Sequence, residues 1–91
     1  METVSITRKG EYVAHVEGSS HTGRLTWTER DGVRSADSTV VPPEIGGRGI
    51  AGLLVDALIA DARAHGFKVR PACSYVEKAF EKNPDWADLK A

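Results

Sequence analysis

The first forty residues alternate between polar and apolar positions in short runs separated by turn-forming residues. Residues 3–7, 12–16 and 24–28 each alternate in this way. Asp31-Gly32, a strong hairpin signal, leads into a longer run at residues 33–41. Alternation with a period of two is typical of strands that bury one face. The pattern therefore predicts four antiparallel strands.

The pattern changes to a helical period after the fourth predicted strand. Apolar residues recur at helical spacing from Arg48 to about His65, and Gly66 stands where a helix would end. Residues 67–70 then read as a fifth strand, which Pro71 stops. The middle of the chain is thus predicted to be one long helix followed by a short strand.

A second helix is predicted near the end of the sequence. Ser74 and Glu77 have the spacing of a capping box, so the helix should start at Tyr75 and run to about Lys82. Residues 85–89 add a terminal turn. The order ββββαβα predicts an α+β fold, with helices packed on a mostly antiparallel five-stranded sheet.

Length and composition restrict the classes of protein that this chain can be. Its 91 residues are expected to form one domain, and a net charge of −1 gives no electrostatic case for nucleic-acid binding. No apolar run reaches the roughly 20 residues that a membrane-spanning helix needs, and the first residues lack a signal peptide's pattern. A single cysteine excludes an internal disulfide and favours the cytoplasm, and three scattered histidines do not suggest a metal site.

A glycine-rich segment between the fourth strand and the long helix is the strongest candidate for chemistry. Four glycines and Arg48 lie within residues 46–52, directly before an apolar helix. The first N–H groups of a helix lack partners, and glycines let the backbone approach a phosphate. The segment fits the spacing of the dinucleotide fingerprint, but two features do not fit that motif. Residues 42–45 separate the segment from the strand, and no acidic residue stands at the position expected downstream. The sequence predicts a phosphate or pyrophosphate site. The alternative is that the glycines only form the turn between the strand and the helix.

Cys73 is the second candidate for chemistry, because it lies just before the second predicted helix. A thiol at a helix N-terminus gains stabilisation of its thiolate. The alternative is a buried core cysteine.

These two segments together resemble the GCN5-related N-acetyltransferases. Val-Pro-Pro-Glu-Ile-Gly-Gly-Arg-Gly-Ile-Ala, followed about twenty residues later by Val-Arg-Pro-Ala-Cys-Ser-Tyr-Val, is similar to a minimal, single-domain branch of that superfamily. The resemblance covers nearly the whole chain and is most specific at residues 40–54 and 69–86. One position departs from the superfamily's loop pattern, because Gly46 stands where a glutamine or arginine is usual.

The resemblance implies acetyl-CoA as cofactor and an N-acetyltransferase that acts on an amine, either a small molecule or a protein, of unknown identity. It implies that the fourth and fifth strands splay apart to admit pantetheine. The residues implied to bind the cofactor are Val40, Val41, Gly46, Gly47, Arg48, Gly49, Ile50, Ala51 and Gly52.

Catalytic roles follow from the same resemblance. Cys73 is the implied catalytic residue, as nucleophile or as a lining of the thioester site, and Tyr75 is a candidate acid. Glu44 is a candidate base, with a solvated loop carboxylate as the alternative. A CoA-binding module without turnover and an interaction domain are the competing functions. We expect a monomer.

Overall fold

The strands of this protein lie side by side in the order in which they occur along the chain. The computed structural model describes residues 4–91. Strands β1 (Val4–Thr7), β2 (Glu11–Val16), β3 (Thr22–Arg30) and β4 (Val33–Val40) form an antiparallel meander. Strand β5 (Lys68–Arg70) joins β4 in the parallel direction. The predicted five-stranded, mostly antiparallel sheet is confirmed, although residue 3, also predicted to be part of a strand, lies outside the described residues.

Two α-helices connect to this sheet as the sequence predicts. Helix α1 (Ile50–His65) links β4 to β5, and α2 (Ser74–Lys82) follows β5. Short 3₁₀ turns cover Pro43–Ile45 and Pro84–Leu89. None of the helices among residues 4–91 is long and apolar enough to cross a membrane.

Both helices pack on the same face of the sheet. Tyr12, Leu25 and Ala36 from the strands share one buried cluster with Leu54 of α1 and Val76 of α2. The opposite face carries polar and charged side chains, and no helix among the described residues covers it. The sheet therefore has one buried side and one open side.

Gly23 in β3 allows α1 to approach the sheet closely. A β-carbon built on Gly23 would lie only 2.8 Å from Cγ2 of Ile50, the first residue of α1. Because any larger residue would push the helix away, this contact fixes the N-terminus of α1 at the end of the sheet where β4 finishes.

A charged cluster ties the C-terminal half of α1 to the sheet. The hydroxyl of Tyr12 donates to Oδ2 of Asp61 in α1 at 2.8 Å, and Nη1 of Arg34 in β4 donates to the same hydroxyl at 2.8 Å. The guanidinium carbon of Arg34 lies 3.7 Å from the centre of the Trp27 ring and 4.1 Å from that of Phe67. A cation held between two aromatic rings is stabilised by both.

Candidate active site

The glycine-rich segment leads into α1 through two left-handed residues. Gly47 has φ of 76°, and Gly49 has φ of 71° and is the N-cap of α1. The left-handed Gly49 explains why the helix begins at Ile50, two residues after the predicted Arg48. Arg48 itself is exposed between these two glycines.

The N-terminus of α1 is open to an anion. No side chain caps it, and its first turn contains no acidic residue. β-Carbons built on Gly47 and Gly49 would meet nothing within 4 Å. The first N–H groups of α1 therefore have no side-chain cap, and space lies over the two glycines that precede them.

Strands β4 and β5 separate beside this N-terminus. Their pairing covers three positions and ends at Ser35 and Arg70, whereas β4 continues to Val40. The N–H of Cys73 adds one more bond, to the carbonyl of Ala36 at 2.8 Å. Residues 37–40 of β4 have no strand partner on that side among the described residues, which confirms the predicted splay. We call the gap bounded by residues 37–40 and 71–75 the β4–β5 cleft.

The two valines at the end of β4 face different environments. Val40 is 61% exposed at the end of the cleft, although it is a large apolar residue. Val41 is partly buried and packs against the core. The exposed Val40 side chain and the unpaired backbone of β4 therefore lie side by side at this end of the cleft.

A β-bulge distorts β4 at the cleft. Thr26 of β3 pairs with Ser38, but the next residue, Trp27, pairs with Ala36, so Asp37 is the extra residue. Bulges bend the strand and increase its twist. This bulge lies where β4 leaves β5 and helps to turn the two strands apart.

The start of α2 differs from the predicted capping box. Cys73 is the N-cap, because its carbonyl accepts the first helical bond from the N–H of Glu77 at 2.9 Å. Ser74 is already the first helical residue, and no side chain makes a capping bond. The bond from Cys73 N–H to Ala36 holds Cys73 extended, so the helix turns one residue earlier than the Ser74–Glu77 pattern predicted.

The thiol of Cys73 lies within the β4–β5 cleft. Its Sγ is 3.5 Å from Oγ1 of Thr39. Burial raises the pKa of the Cys73 thiol, whereas the Thr39 hydroxyl lowers it. Backbone N–H groups of Val76, Tyr75 and Thr39 lower it further, so that the net pKa lies below the ordinary value. The cleft therefore favours the thiolate.

Tyr75 points across the cleft mouth to α1. Its side chain is half-exposed, and a methyl group built on Gly52 would lie 3.9 Å from its hydroxyl. The phenol thus lies over the first turn of α1, next to the glycine-rich segment.

A pocket of about 220 Å³ lies between the two helices and continues from the Gly52–Tyr75 contact. Lys78 and Lys82 of α2 contribute positive charge to its wall, and Trp86 contributes an aromatic surface. The remaining lining residues are Val55, Asp56, Ala79 and Asn83.

Glu44, the candidate base, lies in the 3₁₀ turn before the glycine-rich segment. Its Oε1 is 4.0 Å from Nδ1 of His21, and both side chains are about half-exposed. Among residues 4–91, no group of three or more histidine, cysteine, aspartate or glutamate residues could hold a metal ion.

Comparison with known families agrees with this arrangement. A family model described as GCN5-related N-acetyl-transferase matches residues 11–89. The chain belongs to the GCN5-related N-acetyltransferase family. A GCN5-like N-acetyltransferase candidate from Staphylococcus aureus, solved by NMR, has a similar fold with a TM-score of 0.74. The two are 23% identical, and the match covers 96% of this chain and 87% of that one. No curated protein matches the sequence.

In this family member the structure brings together most of the candidates read from the sequence. The glycine-rich segment, Val40 and Val41, Cys73 and Tyr75 all border the cleft or its mouth. Sequence reasoning missed Thr39 and Asp37. Thr39 is one of several hydroxyl residues in β4, and only the register across the bulge brings it to Cys73.

Proposed function

We propose that this chain acts as a single acetyltransferase-like domain that binds acetyl-CoA and transfers its acetyl group to an amine. The observation that carries the proposal is the uncapped N-terminus of α1 at the mouth of the β4–β5 cleft. Family membership supports acetyl transfer in general.

The pyrophosphate of CoA would lie on the glycine-rich segment. Free space over Gly47 and Gly49 lets an anion reach the backbone N–H groups, and Arg48 is placed to add a charge-assisted contact. Because Gly46 has no side chain to bind phosphate, these N–H groups would supply most of the binding. The residues proposed to hold CoA here are Gly46, Gly47, Arg48, Gly49, Ile50, Ala51 and Gly52.

The pantetheine arm would lie in the β4–β5 cleft. Unpaired backbone near Val40 and Val41 offers hydrogen bonds to its amides, and the exposed Val40 side chain offers apolar contact. The pocket between α1 and α2 continues from there, and its Lys78 and Lys82 are placed to attract further phosphate groups of CoA.

The reacting group would lie next to Cys73. Acetyl-CoA supplies an activated acetyl thioester. Thr39 and the first N–H groups of α2 would hold the Cys73 thiolate, which either attacks the acetyl carbonyl or lines the site while the amine attacks directly. Tyr75 is the proposed proton donor to the departing thiolate, because its phenol is half-exposed at the cleft mouth.

Calorimetry with CoA tests the binding half of the proposal. Gly49→Val should weaken CoA binding by roughly tenfold or more, the equivalent of about 1.4 kcal/mol. Gly66→Val is the matched control, because Gly66 caps the other end of α1 with φ of 75° and also has nothing within 4 Å of its β-carbon. Both variants carry the same backbone strain, so thermal melts should fall together while only Gly49→Val loses affinity. Alanine at the same two positions is the milder pair if valine prevents folding. If Gly49→Val and Gly66→Val bind CoA with equal affinity, the phosphates of CoA do not bind at the glycine-rich segment.

Mass spectrometry of CoA release tests the catalytic half. We expect acetyl-CoA plus an amine to give CoA and the acetylated amine, with Cys73→Ala still binding CoA. If the thiol is the nucleophile, the native protein gains one acetyl group on Cys73 after rapid quenching, and the variant loses most activity. Full activity in Cys73→Ala would mean direct transfer. CoA binding without any turnover would make the protein a CoA-binding module.

A further inference from the structure

A second pocket lies on the open face of the sheet, opposite the two helices. Its volume is about 430 Å³, and it is formed by the β3–β4 hairpin together with the end of β5. Its wall includes Thr28, Ser35, Asp37, Arg30 and Arg70. The glycine-rich segment and the pocket between the helices contribute none of its lining.

Asp37 presents a fixed carboxylate to this pocket. As the extra residue of the β-bulge, it turns away from the regular alternation of β4. Its Oδ2 accepts a hydrogen bond from Thr28 Oγ1 at 3.0 Å, and its Oδ1 accepts one from Ser35 Oγ at 2.7 Å. Two hydroxyl donors orient the carboxylate without neutralising it.

Arg70 presents the opposite charge. It is the last residue of β5 and is exposed, and its side chain makes no hydrogen bond or ion pair within residues 4–91. Arg30, in contrast, lies 3.7 Å from Asp31, which also lines the pocket, in an exposed pair. The pocket therefore has an unneutralised anion and an unneutralised cation on one wall.

This pocket borders the β4–β5 cleft on the face of the sheet opposite the helices. The carbonyl of Ala36, adjacent to Asp37, accepts the N–H of Cys73, and Arg70 precedes Cys73 by three residues. The helices cover the other face of the cleft. An acceptor that reaches a thioester held beside Cys73 from the uncovered face would pass Asp37 and Arg70.

We propose that the acceptor is a zwitterionic amine, a molecule with an ammonium group and a carboxylate, and that it binds in this open-face pocket. Asp37 would hold the ammonium group, and Arg70 would hold the carboxylate. The inference rests on the proposed function. In the transfer, the neutral amine bonds to the acetyl carbonyl carbon and the C–S bond breaks. The bound ammonium group loses two protons in all, one to give the neutral amine and one on acylation. The CoA thiolate takes up one and solvent takes the other, so no further reactant is needed.

Three acceptors of equal length test the charge preference: β-alanine, its neutral amide, and diaminopropane. At equal concentrations of free amine, kcat/KM should be roughly tenfold higher for β-alanine than for the other two, which corresponds to one charge-assisted contact. Arg70→Gln should remove the preference, and Asp37→Asn should lower kcat/KM for all three while CoA affinity stays unchanged. Lys9→Gln is the control, since it removes the same charge from the exposed β1–β2 turn.

Amide NMR spectra give a readout that needs no turnover. With CoA bound, β-alanine should shift the signals of Ser35, Asp37 and Arg70. A preference for diaminopropane, a preference that survives Arg70→Gln, or shifts that avoid this pocket would each overturn the inference. If CoA does not bind, the proposed function is wrong, but this result does not decide whether the pocket binds a zwitterion. The shifts caused by β-alanine alone would then still decide whether the pocket takes a zwitterion.

Discussion

Removing the hydroxyl of Tyr12 tests how the charged cluster ties α1 to the sheet. In Tyr12→Phe the ring keeps its place in the core, where it is fully buried, but two hydrogen bonds to charged partners are lost. Such bonds contribute about 1.5–3 kcal/mol each. Asp61 keeps Arg8 at 3.2 Å and Arg34 keeps Glu29 at 2.9 Å, so neither partner is left alone. Because the two bonds share one hydroxyl and both charged partners keep another partner, the loss should be smaller than the sum of two such bonds, and we expect about 2 kcal/mol in the free energy of unfolding.

The same hydroxyl makes stability depend on alkaline pH. Burial, together with the hydrogen bond to Asp61, raises the pKa of Tyr12 from 10.0 to about 12. The unfolded phenol loses its proton first, so this stabilisation is complete below pH 10 and disappears as the pH rises toward 12. At about 1.4 kcal/mol per pH unit, the loss is at most about 3 kcal/mol. Tyr12→Phe should lack this loss.

Urea unfolding and thermal unfolding, both followed by tryptophan fluorescence at neutral pH and in alkaline buffers, measure both effects. A melting temperature lower by roughly 10 °C at neutral pH would match the expected loss in a domain of this size. A variant within about 0.5 kcal/mol of the native protein would refute the hydrogen-bond argument. An equal alkaline loss in both proteins would refute the assignment of that loss to Tyr12.

Three further predictions concern packing and the cleft. Gly23→Val should destabilise the fold by about 1–3 kcal/mol in chemical denaturation, because its β-carbon would lie 2.8 Å from the nearest side-chain carbon of α1; unchanged stability would contradict the close contact. Leu58→Ala should lower the free energy of unfolding by about 2–5 kcal/mol. Leu53→Ala should lower it clearly less, because Leu53 lies on the same helix but is 40% exposed. Similar losses in the two variants would contradict the difference in burial between these leucines. Thr39→Val should raise the pH midpoint of Cys73 alkylation by iodoacetamide, since the hydroxyl lowers the thiol pKa. A midpoint that does not move would show that Thr39 has no such effect.

Alternation and glycine positions were sufficient to predict the order of elements. The period-two runs predict β1 to β4 because one face of each strand is buried and the other is open. Gly66 marks the end of α1 because its φ of 75° is left-handed, which glycine accommodates without strain. These features depend on residues close together in the sequence.

The finer geometry of the cleft depends on contacts between distant parts of the chain. The pattern at Ser74 and Glu77 is a valid local signal, but a hydrogen bond between Cys73 and Ala36 overrides it. The bulge at Asp37 is invisible in the sequence, because it appears only when β3 and β4 are set in register. For the same reason, the pocket on the open face could not be predicted from β4 alone.

The arrangement of strands in chain order has a consequence for how the molecule opens. Each of the first three pairings joins strands that are neighbours in sequence, so they close short loops and should form quickly. The β4–β5 pairing spans the whole of α1 and holds only three positions, against seven between β3 and β4. Amide exchange should therefore be faster in β5 and at the start of α2 than in the meander. A local opening of that segment would expose the cleft from both faces while the rest of the sheet stays intact.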